Sequence, residues 1–294
     1  MDKNKPEVCV IMPVYNGENT IKYALTSLLN QTYDNWNCVI VNDGSTDGTF
    51  KILNSLKDPR FHIYHLDQNK GRGSARDIAL RYAKGDYLTY LDADDMMHRD
   101  KLRVQVEFME THPEVRMVSC GYITMNENFE ALRSSGLSDF ISDNIMKYGQ
   151  ALPLLLGAIM VRLDQARIFS YNHYLDVGED YDYFARYCEG YRYANIGQPY
   201  YYYLIGNVTA RKLLYYQVNC LKGCVVYWKR GNHLKAVISA IKRCAKIVSY
   251  ALLIPIIGVE RLVNNRGNTT PLLTENRDVF YKETKVIKQL KEQL

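Results

Sequence analysis

Short apolar runs alternate with helix-periodic segments over the first ninety residues or so, and this alternation constrains the fold more than any other feature. The runs with the length and composition of buried strands are residues 8–12, 36–41, 61–66 and 87–91. Between the first two, apolar residues in the segment 21–29 recur at spacings of three and four, as on one face of a helix. Strands alternating with helices predict βαβ units, so we expect an α/β fold on a mainly parallel sheet.

Ligands of open parallel sheets bind at the carboxyl ends of the strands. The loops that leave the four predicted strands begin Pro13-Val14-Tyr15-Asn16, Asn42-Asp43-Gly44-Ser45, Asp67-Gln68-Asn69-Lys70-Gly71 and Asp92-Ala93-Asp94-Asp95. They are rich in carboxylate and amide side chains, and we expect them to line one polar site.

These loops, in this order and followed by Gly178-Glu179-Asp180, resemble the family 2 glycosyltransferases of the GT-A fold. The resemblance extends from about Val8 to about Tyr203. It implies a GT-A catalytic domain over 1–205, with a nucleotide-binding sheet flanked by helices. The tail over 206–294 lies outside the resemblance, and its own residues predict a C-terminal helical extension. The resemblance also implies an inverting enzyme of the bacterial polysaccharide type. Such an enzyme moves one sugar from a nucleotide diphosphate sugar, here a UDP-sugar, to a hydroxyl of a lipid-linked glycan acceptor.

The Asp92-Ala93-Asp94 segment is the candidate metal site. In extended chain, residues i and i+2 point to the same side, so Asp92 and Asp94 can converge on one cation, and carboxylates suit Mg²⁺ or Mn²⁺. An isolated D-x-D is more often a plain acidic loop. The resemblance implies that Asp94 ligates the metal, that Asp92 contacts the ribose or a metal-bound water, and that Ala93 adjoins the nucleotide. Asp95 is interpreted as a helix-capping neighbour.

The resemblance assigns the nucleotide base to Asp43, with Pro13 and Tyr15 flanking it. An ionised carboxylate can accept the N3–H of uracil, whereas a plain Asx turn is the alternative for this position. Arg76, in the pattern Asn69-x-Gly71-x-x-x-Ala75-Arg76, is implied to help hold the nucleotide.

Glu179 and Asp180 precede a helical pattern. Acids in a first helical turn often interact with the helix dipole. The resemblance instead selects Asp180 as the general base that takes the proton of the acceptor hydroxyl, with Glu179 orienting the site.

Charge divides the chain into two parts. Residues 206–294 contain 16 Lys and Arg against 5 Asp and Glu, whereas residues 1–205 contain 21 against 27.

Within the basic part, residues 234–263 form an amphipathic helical pattern. One side carries Lys235, Ser239, Lys242, Lys246 and Ser249, and the opposite side carries Val237, Ile238, Ile241, Val248 and Leu252. The pattern predicts a helix lying on an anionic membrane surface. A helix that packs its apolar side on the catalytic domain remains an alternative.

The remaining sequence features concern the cellular location of the protein and the alternative function classes. Seven cysteines lack any C-x-x-C pair, which indicates free thiols in a reducing compartment. We therefore expect a cytoplasmic protein peripherally associated with the inner face of the cell membrane. No nucleic-acid-binding module accompanies the basic tail. The alternatives from other classes are a metal-dependent nucleotidyltransferase and a non-catalytic nucleotide-sugar-binding scaffold.

Overall fold

A computed structural model describes residues 5–142, 146–148, 155–206, 209–264 and 272–293. Its strands are β1 (Val8–Val14), β2 (Trp36–Asn42), β3 (Phe61–His65), β4 (Tyr87–Tyr90), β5 (Met96–Met97), β6 (Val115–Met125), β7 (Ala131–Ser135), β8 (Phe140–Ile141), β9 (Met160–Arg162) and β10 (Arg192–Leu204). Its helices are α1 (Ile21–Leu29), α2 (Thr49–Asn54), α3 (Arg72–Tyr82), α4 (Lys101–Thr111), α5 (Leu163–Ala166), α6 (Glu179–Tyr187), α7 (Ala210–Lys229), α8 (His233–Asn264) and α9 (Thr274–Leu290).

The described strands form one sheet in the order β3-β2-β1-β4-β9-β6-β10-β5, with β7 on β6 and β8 on β10. β3, β2, β1 and β4 pair in parallel, which confirms the predicted βαβ half of the fold. The other half is mixed, because β9 runs antiparallel to both β4 and β6, whereas β6 and β10 are parallel.

Helices cover both faces of the parallel half, which explains why its strands read as continuous apolar runs. Val8 and Met12 pack with α1 and α4 on one face. Cys9 and Ile11, whose side chains alternate with those, pack with α3 and α6 on the other.

The loops after β2 and β3 approach each other closely at Gly44. This residue has a φ of 69°, and a Cβ there would lie 2.5 Å from the carbonyl carbon of Gln68 and 2.6 Å from the amide nitrogen of Asn69. Only glycine fits without moving that backbone, so Gly44 lets the two loops form one wall of the site.

The C-terminal helices divide into two groups. α7 and α8 pack together as a hairpin joined at residues 230–232, and α8 breaks at Gly258, where φ is 77°. α9 instead returns to the sheet, where Phe280 and Ile287 are buried beside Tyr202 of β10. No helix among the described residues is long and apolar enough to cross a membrane.

We predict that α9 is part of the folding unit. Phe280→Ala should lower the free energy of unfolding by about 3–5 kcal/mol, because it leaves a cavity in a packed cluster. The adjacent Tyr281 is 44% exposed, and Tyr281→Ala is the matched control with an expected change within about 0.5 kcal/mol. Urea unfolding measures both, and equal stabilities for the two variants would contradict the role given to α9.

Candidate active site

The residues predicted to contact the nucleotide base lie at the carboxyl ends of β1 and β2, which are neighbouring strands. Pro13 belongs to β1, and Tyr15 follows that strand with half of its surface exposed. Asp43 is buried, and its two carboxylate oxygens accept hydrogen bonds from the backbone N–H groups of Lys70 (2.8 Å) and Gly71 (2.9 Å). Asp43 therefore joins the loops after β2 and β3, while further lone pairs on its oxygens remain available.

The Asp92-Ala93-Asp94 segment does not have the extended geometry that we expected. β4 ends at Tyr90, and the amide of Asp95 donates a hydrogen bond to the carbonyl oxygen of Asp92 at 3.1 Å, which closes a turn. The prediction that Asp92 and Asp94 belong to an extended segment is therefore wrong. A turn, and not a strand, presents the two residues at this edge of the sheet.

Asp95 is not a helix cap either, since Asp100 is the residue that precedes α4. Its buried carboxylate accepts a hydrogen bond from the Tyr201 hydroxyl at 2.8 Å and another from the Leu204 amide at 2.7 Å. Asp95 thus anchors the turn to β10, and both of its oxygens are engaged.

The donor set at this turn fits a divalent cation held by few protein ligands. Asp94 reaches solvent, yet the protein atoms around it and the charge of Asp92 raise its pKa to about 6. A cation beside the two carboxylates would relieve that repulsion. Within the described ranges, no group of three or more His, Cys, Asp and Glu side chains is arranged to hold a metal. Mg²⁺ commonly uses one or two carboxylates, with waters and substrate phosphates completing its coordination.

A buried ion-pair network links this turn to the start of α6. Arg76 of α3 donates from Nη1 to Glu179 at 2.7 Å and from Nη2 to Asp92 at 3.3 Å. The Nε of Arg72 lies 2.7 Å from the same Glu179 oxygen. Arg76 and Glu179 are almost fully buried, and a buried charge without a partner is costly. The two charges compensate each other, together with those of Arg72 and Asp92.

Glu179 and Asp180 point to different sides because successive helical residues lie about 100° apart. Glu179 faces Arg76, whereas Asp180 lines a cavity of about 620 Å³. One Asp180 oxygen accepts the backbone N–H of Tyr181 at 2.7 Å. The two acids predicted as a catalytic pair therefore have different neighbours, since Glu179 pairs with buried Arg76 and Asp180 lines the cavity.

The far wall of this cavity comes from the C-terminal hairpin, which the sequence analysis did not place at the site. Tyr216 and Tyr227 of α7 line it together with Lys235, Ser239 and Arg243 of α8. The spacing of the α8 residues, i, i+4 and i+8, was a usable signal for one helical face. The sequence analysis placed Lys235 and Ser239 on the polar side of a helix lying on an anionic membrane surface, whereas in the structure both line the cavity together with Arg243.

Comparison with known proteins gives the family. The model of the family described as glycosyl transferase family 2 matches residues 9–170. The chain is 36% identical over 165 residues to the putative teichuronic acid biosynthesis glycosyltransferase TuaG of Bacillus subtilis. It is 32% identical over 176 residues to WfgD of Escherichia coli, named as a UDP-Glc:alpha-D-GlcNAc-diphosphoundecaprenol beta-1,3-glucosyltransferase. These matches cover 55% and 59% of this chain, and 63% and 66% of the respective relatives.

The crystal structure of S. aureus TarS 1-349 is similar in fold. It superposes with a TM-score of 0.59 at 19% sequence identity, over 98% of this chain and 91% of that one. The family match, with the mixed α/β sheet and the helices around it, confirms the resemblance and the fold expected from the loop motifs. The chain belongs to glycosyl transferase family 2.

Proposed function

We propose that this chain transfers one sugar from a UDP-sugar to a hydroxyl of a lipid-linked glycan acceptor. The observation that carries the proposal is the position of Asp180. Its neighbour Glu179 is connected through Arg76 to Asp92 at the sheet edge, while Asp180 itself faces the cavity beneath the hairpin. A transferase needs such an arrangement, because the base must act between a donor and an acceptor bound on different sides.

The donor belongs at the sheet edge. Asp43 would accept the N3–H of uracil, and Pro13 and Tyr15 would flank the base. Arg76 would place its charge beside the diphosphate, next to Asp92 and Ala93. TarS has been crystallised with UDP and with UDP-GlcNAc, and WfgD is named for UDP-Glc. These relatives support a UDP-sugar in particular.

Asp94 and Asp92 are the residues that would hold Mn²⁺ or Mg²⁺. The bound ion would supply charge neutralisation for the leaving diphosphate. Asp95 would take no part in ligation, because its oxygens hold Tyr201 and Leu204.

Asp180 would act as the general base. As the acceptor oxygen forms its bond to the anomeric carbon, the bond from that carbon to the diphosphate oxygen breaks and Asp180 takes the hydroxyl proton. A single displacement of this kind inverts the anomeric configuration. A nucleotidyltransferase would attack a phosphate instead, and a non-catalytic scaffold would need no carboxylate at this position.

The hairpin would hold the enzyme on the inner face of the cell membrane. On α8 the residues predicted as the apolar side are exposed, including Ile241 at 63% and Leu252 at 64%. The helix therefore does not pack this side on the catalytic part. We call Leu234, Val237, Ile238, Ile241, Val248 and Leu252 the outer stripe. A stripe of this kind suits the lipid interface, and the exposed Lys242 and Lys246 of the same helix would favour anionic headgroups.

Asp180→Asn should lower kcat by about two to four orders of magnitude, because the amide cannot accept the proton. The affinity for UDP-sugar should stay the same, since the role belongs to the transition state. Release of UDP and calorimetric donor binding measure the two effects. Asp164→Asn, at an exposed acid of α5, is the control and should behave as wild type. A loss of donor affinity at unchanged kcat would show that Asp180 is a binding residue.

Asp94→Ala and Asp95→Ala should fail in different ways. Asp94→Ala should lose transferase activity and keep its thermal stability. EDTA should likewise abolish the activity of the wild type, and addition of Mn²⁺ or Mg²⁺ should restore it. Asp95→Ala should be destabilised by about 1–3 kcal/mol for each donor left without a partner. Full activity in chelator, or full activity of Asp94→Ala, would refute the metal assignment.

The outer stripe can be tested on vesicles containing anionic lipid. Each apolar side chain buried in the interface contributes about 1.5 kcal/mol or more, so Ile241→Ser with Leu252→Ser should weaken co-sedimentation about 100-fold. Ile168 is equally exposed but lies after α5, and Ile168→Ser should have no effect. Full-length protein that ignores such vesicles at low salt would overturn the membrane proposal.

A further inference from the structure

The hairpin cavity, defined as the space between the start of α6 and the α7–α8 hairpin, contains charges that the transfer reaction does not use. Arg72 at its edge is neutralised by Glu179 at 2.7 Å. Asp182 is held by Arg186 at 3.0 Å and by the Tyr148 hydroxyl at 2.7 Å. Once these pairs are set aside, Asp180, Lys235 and Arg243 remain as the charged lining residues.

Lys235 and Arg243 have no carboxylate partner among the residues that the structure describes. Arg243 donates a hydrogen bond to the neutral side chain of Gln217 at 3.0 Å, and the Lys235 ammonium lies 5.0 Å from the centre of the Tyr227 ring. Burial lowers the pKa of Lys235. Two partly buried cations without a carboxylate are costly unless an anion joins them.

The cations and the base lie on opposite walls. Asp180 belongs to α6, whereas Lys235 and Arg243 extend from α8 on either side of Ser239. They are about two helical turns apart, about 12 Å along the axis, and Ser239 lies between them on the same lining face of α8. An acceptor could therefore place a hydroxyl at Asp180 and an anionic group at α8.

The outer stripe lies on the other side of the same helix, so α8 carries apolar residues outward and cations inward. A molecule with a sugar, an anionic linker and a lipid chain matches this order of surfaces. We propose that Lys235 and Arg243, with Ser239, bind the diphosphate of a lipid-diphosphate acceptor. This inference rests on the proposed function for its sugar end, but the diphosphate site can be tested without any transfer.

The probe is farnesyl diphosphate, which carries the lipid and the diphosphate without a sugar. We expect full-length protein to bind it in calorimetry, and Lys235→Gln with Arg243→Gln to weaken that binding about 100-fold, as two charge-assisted contacts are lost. Lys235→Arg with Arg243→Lys keeps both charges and should retain most of the affinity. Lys282→Gln with Lys285→Gln removes two exposed cations of α9 and should leave binding unchanged.

Two further arms identify what the cations recognise. Farnesol, which lacks the diphosphate, should bind equally to the wild type and to the variant that combines Lys235→Gln with Arg243→Gln. UDP-glucose should not displace farnesyl diphosphate, because the described residues that line the hairpin cavity do not include Asp43, Arg76 or Asp92. Displacement by UDP-glucose would assign the cations to the donor, and equal weakening by both Gln pairs would reduce the effect to general surface charge. Either result overturns the inference. Failure of sugar transfer with intact farnesyl diphosphate binding would refute the proposed function alone.

Discussion

The buried ion pair between Arg76 and Glu179 holds the two halves of the site in their relative positions. Arg76 belongs to α3 and also contacts Asp92 on the turn after β4, while Glu179 is the first residue of α6. Removing one partner of a buried pair costs about 3–5 kcal/mol, because the other charge is left uncompensated. Since Asp180 follows Glu179 directly, the same pair helps to fix the proposed base, Asp180, relative to the loops proposed to bind the donor.

Much of this arrangement could be predicted from local sequence, and the limits have physical causes. Runs such as 8–12 and 36–41 are buried on both faces, so their apolar composition identified the parallel strands. Asp95 was misinterpreted as a cap because its partners, Tyr201 and Leu204, lie more than a hundred residues away. The turn at Ala93 was missed for a related reason, since β4 ends where its pairing with the distant strand β1 stops, at Tyr90. Long-range partners decide such cases, and no local pattern contains them.

The hairpin shows that a correct periodicity does not by itself determine what surrounds each side of a helix. The helical pattern of 234–263 agrees with α8, yet part of its polar side lines the cavity while its apolar side is exposed. Arg243 is partly covered and lines the cavity, while Ile241 is exposed. In a helix that packs on a protein core the reverse holds. This arrangement connects the charge division of the chain to one proposed task, which is to bring a lipid-borne acceptor to the carboxylate of Asp180.

The nature of the products tests the central proposal most directly. The full-length protein would be incubated with UDP-sugars and a lipid-diphosphate-linked sugar in the presence of Mn²⁺, and the products would be analysed by NMR and mass spectrometry. Sugar transfer predicts one free UDP for each new glycosidic bond, with the anomeric configuration opposite to that of the donor. Release of pyrophosphate in place of UDP, or a retained anomeric configuration, would contradict a single displacement assisted by Asp180.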